Sequence, residues 1–115
     1  MTPPLTVLIP CRHRSDLLDR CLASVRRFSP PSTQILVVDD GGVDPGVAQA
    51  CVRHGVERIE LPGHSGFCRA MNQGLAHARG EIVEFLNDDT VVTAGWIEQA
   101  IRHFRDPAIA AVCPL

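Results

Sequence analysis

Two stretches of this chain, residues 34–40 (QILVVDD) and 81–89 (EIVEFLNDD), run mostly apolar and then end in adjacent carboxylates. Runs of this length, rich in Ile and Val, are the pattern of strands buried on both faces of a parallel sheet. In an open α/β sheet, ligands bind in the crevice outside the carboxyl ends of the strands. Two carboxylate pairs gathered there are costly to hold without a cation or a donor-rich ligand. The doublets therefore predict a site for a metal and a polyhydroxylated or phosphorylated ligand.

The rest of the chain alternates strands with helices. Residues 6–10 (TVLIP) read as a first strand and 10–14 as a polar loop. Ser15 is the expected N-cap of a helix whose Leu17, Leu18, Cys21, Leu22, Val25 and Phe28 share one face, and residues 29–31 (SPP) stop it. Residues 35–38 form the second strand, and Asp44 followed by Pro45 predicts a second helix ended by Gly55. A third strand over 56–61 leads through a Gly-rich loop to a helix over 67–78, with Gly80 just past it. Residues 82–86 are the fourth strand and 87–90 its exit loop. Thr93 is the expected cap of a last helix, and 109–113 predict a fifth strand. This is a Rossmann-like α/β pattern: an open, mostly parallel sheet with helices on both faces, in one domain spanning residues 1–115. The fifth strand has no helix after it, so self-association through that strand is expected.

Composition excludes several functions. The net charge of −2 leaves no basic footprint for nucleic acid or an anionic membrane. No apolar run approaches the ~20 residues that span a bilayer, and the first is too short and unflanked for a signal peptide. The five cysteines form no C-x-x-C pair, which favours reduced thiols and a cytoplasmic protein. All eleven basic residues other than His are Arg. A phosphoacceptor receiver domain, which ILVVDD also suits, needs a Lys at its acidic pocket and is thereby excluded. No G-x-G-x-x-G follows a strand and no G-K-[ST] occurs, so dinucleotide-binding and P-loop readings fail as well.

The ordered set TVLIPCRHR, ILVVDDGGVD, GHSGFCRAMNQGLAHARGEIVEFLNDDT and GWIEQAI resembles family 2 glycosyltransferases, specifically their GT-A type nucleotide-sugar-binding half. The resemblance covers about residues 5–115. It implies that Pro10, Arg12 and Arg14 lie beside the base and ribose, that Asp39 binds the base and that Asp40 stands close to the ribose. Asn87-Asp88-Asp89 resembles the Asp-x-Asp motif, with Asp89 on a divalent metal (Mg²⁺ or Mn²⁺) and Asp88 on ribose or sugar. Arg69 belongs to the segment implied to close over the diphosphate. The implied partner is a UDP-, GDP- or dTDP-sugar, and the implied reaction is inverting sugar transfer to an acceptor.

The pattern also departs from the family. Arg12 and His13 stand where an aromatic or small polar residue and an Asn are usual, His64 replaces an Asn, and Met71 replaces an Arg. Catalytic domains of the family run about twice this length, and their second half carries the acceptor site and general base. The sequence is therefore expected to be a donor-binding half. The alternative is a non-catalytic, truncated module that binds a nucleotide or a protein.

Overall fold

The computed structural model describes residues 4–113. The elements follow as β1 (Leu5–Cys11), α1 (Ser15–Phe28), β2 (Gln34–Asp40), α2 (Pro45–His54), β3 (Glu57–Leu61), α3 (Phe67–Leu75), β4 (Ile82–Phe85) and α4 (Glu98–His103). The four strands form one sheet in the order β3-β2-β1-β4, parallel at every pairing. β2 is central and buried along its whole length, as its unbroken apolar run requires.

Strand alternation splits the core in two. Leu5, Val7, Ile9, Ile35 and Val37 pack on one face with Leu18, Leu22 and Val25 of α1 and with Val47 and Ala50 of α2. Ile97, which immediately precedes α4, joins the same cluster. Leu8, Leu36 and Val38 face the other way, onto Ala70 and Met71 of α3. Right-handed crossovers account for this division. The chain steps outward from β1 to β2 to β3 over one face, then returns across the other face through α3 to place β4 on the far side of β1. The strand order therefore reverses at β1, which is where an α/β sheet opens a crevice.

The amino ends of the strands are closed by one side chain. Gln34 Oε1 accepts from Thr6 Oγ1 at 2.6 Å and from the Arg79 N–H at 2.7 Å, while its Nε2 donates to Glu57 and to the His77 carbonyl. Thr6 Oγ1 in turn accepts from the Gly80 N–H at 2.8 Å.

Several sequence expectations change. No strand forms over residues 109–113 among the described residues; the Ile109 N–H instead closes a turn onto the Asp106 carbonyl. Ala110 and Ala111 are exposed, and small Ala side chains supply little of the cross-strand packing that holds a strand. The last helix begins at Glu98 rather than near Thr93, because Gly95 sits at φ 80°, in the left-handed region, and breaks the turn there. Ser15 is the first residue of α1, not its cap; Arg14 occupies the cap position without a capping bond. Helix α3 stops at Leu75, and the next turn tightens through i→i+3 bonds from His77 to Gly74 and from Ala78 to Leu75.

Candidate functional site

At the carboxyl ends of β1, β2 and β4, a crevice of about 290 Å³ opens. The β1–α1 loop contributes Pro10, Cys11, Arg12, His13 and Arg14, β2 contributes Asp40, α3 contributes Phe67 and Ala70, and the β4 exit contributes Asn87, Asp88 and Asp89. A cavity of about 360 Å³ lies at the opposite, amino end of the sheet. Its charged groups are already paired: Arg26 donates to the His54 and Gly55 carbonyls, and Arg79 pairs with Glu57, while the Thr33 hydroxyl there is buried without a partner. The carboxyl-end crevice is thus the candidate site.

Its electrostatics centre on Arg14. The guanidinium Nη2 lies 3.1 Å from Asp88 Oδ1, and Nη1 lies 3.6 Å from Asp89 Oδ2. Asp88 is buried while Asp89 is half exposed. Behind them, burial and the Asp88 carboxylate push the Cys11 thiol up to about 12; Cys21, buried beside Asp88 and Asp89, is also pushed up to about 12. Burial thus favours the protonated thiol at both positions.

The first doublet divides across the sheet, because consecutive strand residues point to opposite faces. Asp40 points toward α3. Its Oδ1 accepts from the Ser65 N–H at 2.8 Å, its Oδ2 accepts from the Gly66 N–H at 3.1 Å, and His64 Nδ1 stands 3.1 Å from Oδ2. The carboxylate fixes the loop that starts α3, with Gly66 at φ 85°. Asp39 points toward α1 and α2, is wholly buried and lies outside the crevice lining. Arg58 Nε donates to its Oδ2 at 3.1 Å, yet Oδ1 has no hydrogen-bond partner. Burial raises its carboxyl above the ordinary value, with Arg58 pulling against the rise.

Of the residues singled out from the sequence, Pro10, Arg12, Arg14, Asp40, Asp88 and Asp89 meet in the crevice, and Arg69 does not. Phe67 and Ala70, three apart, share the α3 face turned to the site, and Arg69 falls off that face. Sequence reasoning missed Phe67, which is 60% exposed at the crevice. A large aromatic as the first residue after a glycine-rich loop was the signal available.

A divalent metal is tested by the donor set itself. Among the described residues, no group of three or more His, Cys, Asp or Glu could hold one. Asp89, half exposed, fits a metal only in the manner of Mg²⁺ sites that take one or two carboxylates and complete the shell with phosphate and water oxygens. The residues present therefore fit a metal that arrives with a phosphorylated ligand. Among the described residues, no helix is long and apolar enough to cross a membrane.

Known proteins resemble this chain in sequence and fold. The chain is 34% identical over 112 residues to a pre-mycofactocin glycosyltransferase of Mycobacterium tuberculosis, covering 96% of this chain and 23% of that one. It is 26% identical over 112 residues to a poly-beta-1,6-N-acetyl-D-glucosamine synthase of Staphylococcus epidermidis, covering 94% and 27%. Its fold matches a Pyrobaculum calidifontis mannosyltransferase in complex with GDP-Man and Mn²⁺ at a TM-score of 0.72 and 23% identity, covering 85% of this chain and 33% of that one. TarS of S. aureus, residues 1–349, matches at a TM-score of 0.73 and 21% identity, covering 89% and 32%. The chain thus spans about a quarter to a third of the length of these relatives. The description Glycosyl transferase family 2 matches residues 6–115, and with the parallel sheet and its crevice this makes the chain a member of glycosyl transferase family 2.

Proposed function

We propose that the crevice binds a nucleotide-diphosphate sugar with Mg²⁺ or Mn²⁺, as the donor site of an inverting sugar transfer to an acceptor hydroxyl. The observation that carries the reading is the meeting of Arg12, Arg14, Asp88 and Asp89 in one crevice at the strand-order reversal. Phosphate anions suit the two guanidiniums, and Arg presents them with a bidentate fork. The exposed ring of Phe67 offers an apolar face to a base or sugar. The mannosyltransferase complexed with GDP-Man and Mn²⁺ supports the same ligand class.

Each residue then has a task. Arg12 is exposed and contacts the diphosphate or stacks on the base. Asp39 is wholly buried on the other face of the sheet, paired with Arg58, and stands outside the crevice lining. Asp40 acts one step back: it holds the Ser65 and Gly66 amides, and through them the position of Phe67, rather than the ribose itself. Asp89, together with phosphate oxygens, would hold the metal, which when bound supplies Lewis-acid neutralisation of the departing diphosphate. Without a ligand, Asp88 and Asp89 are paired with Arg14, and Asp40 is committed to backbone amides.

Calorimetric titration with UDP and with GDP, with and without Mn²⁺, tests the reading. One nucleotide should bind about tenfold more tightly with Mn²⁺ present, and Asp89→Ala should remove that dependence. No binding of either nucleotide would sink the proposal in favour of a module without donor binding.

A further inference from the structure

Arg14 is held where a metal would otherwise find its ligands. It closes the β1–α1 loop immediately before the first helical residue, and its guanidinium spans both carboxylates of the second doublet, at 3.1 Å and 3.6 Å. No other cationic side chain among the described residues pairs with Asp88 or Asp89. A divalent ion approaching Asp89 by itself therefore meets one half-exposed carboxylate, no third protein ligand, and a like charge already in place.

We propose that Arg14 is an internal counter-ion that closes the Asp88–Asp89 pair to a divalent metal until a diphosphate arrives, so that metal and nucleotide bind as one unit. The inference rests on the reading of this crevice as a metal and diphosphate site. A diphosphate supplies both things that are missing. Its oxygens complete the metal shell, and they offer the guanidinium a bidentate partner in exchange for the carboxylates. Arg14 acts through Asp88 and Asp89 and is a positioning residue. The exchange also explains why the crevice carries two arginines: Arg12 is free to meet the ligand first, and Arg14 becomes free only once the ligand is there.

The test uses Mn²⁺ alone, with no nucleotide, and reads the free ion by electron paramagnetic resonance. Arg14→Gln should bind Mn²⁺ at least about tenfold more tightly than wild type, and adding Asp89→Asn should cancel the gain. Arg14→Lys keeps the charge and should stay near wild type. Equal affinities in wild type and Arg14→Gln, or no Mn²⁺ binding by any variant, overturn the proposal. If Arg14→Gln has lost the wild-type circular dichroism, the wild-type protein gives a second reading through the Arg14 Nε–H resonance. That signal should stay in place with millimolar Mg²⁺ alone, and a saturating shift at lower Mg²⁺ overturns the proposal. Because nucleotide is absent throughout, this result is independent of whether UDP or GDP binds.

Discussion

Asp39 is the residue where burial and charge pull against each other. Its carboxylate is wholly buried, one oxygen is unpaired, and burial raises its pKa, so the folded state favours the protonated form. A carboxyl raised on folding costs stability once pH passes above the ordinary carboxylate range, and the cost is complete above the raised value. Asp39→Asn keeps an acceptor for Arg58 and removes the charge. It should melt higher than wild type at neutral pH, by about 4 °C if the charge costs about 1 kcal/mol, with the gap closing as the solution is acidified below the carboxylate range. A melting gap that stays constant with pH would show that the charge is not its cause. Half of this was legible in the sequence: a doublet after a buried strand places a carboxylate at the crevice. That Asp40 rather than Asp39 lines it depends on which face α3 covers, and no local pattern encodes that. The Arg14–Asp88 pair, 74 residues apart in sequence, was equally hidden.

At the scale of elements, the position of α3 decides where Phe67 and Ala70 stand, and Gly74 sets how closely that helix approaches the sheet. A Cβ there would lie 2.5 Å from Leu8 Cδ1 and 2.9 Å from Val38 Cγ2, both in the packed second core. Gly74→Ala should destabilise by about 1–3 kcal/mol, as overpacked cores do, seen as a lower urea midpoint with unchanged slope. It should also weaken nucleotide binding, because the helix that carries Phe67 is pushed outward. An Ala that raised the midpoint, as helix propensity alone would have it, would disprove the close contact. The helices α1 and α3 were readable from apolar spacing and α2 also from its caps, Asp44 accepting from the Gly46 N–H at 2.8 Å and Gly55 ending the helix. Helix α4 was misplaced because the backbone of Gly95, not its neighbours' apolar spacing, sets where the turn breaks.

For the molecule as a whole, the open edges among the described residues are β3 and β4, and no fifth strand pairs with β4. Phe85 is 52% exposed on that edge, and Glu84 beside it is half buried with its pKa raised by desolvation. A carboxylate placed on an edge strand opposes pairing with another edge while it is charged. Self-association should therefore be weak at neutral pH and strengthen as pH falls through the raised value of Glu84, read by sedimentation velocity. Glu84→Leu should associate at neutral pH; a variant that stays monomeric would show that the edge is protected by something else. The expected fifth strand failed for a reason visible only at this scale: an Ala-rich segment beside an edge needs packing on its outer side before its backbone pairs.

The Gln34 network has a consequence for how the sheet is assembled. Parallel strands have no tight hairpin to set their register, and every pairing here joins segments separated by a helix. Gln34 reads the register directly, since its single side chain must meet Thr6, Glu57, His77 and Arg79 together. A slip of one residue would turn this side chain to the other face and leave the Arg79 amide and the Thr6 hydroxyl without their acceptor. The end of the sheet farthest from the crevice therefore ties β1, β2, β3 and the segment that enters β4 to one register.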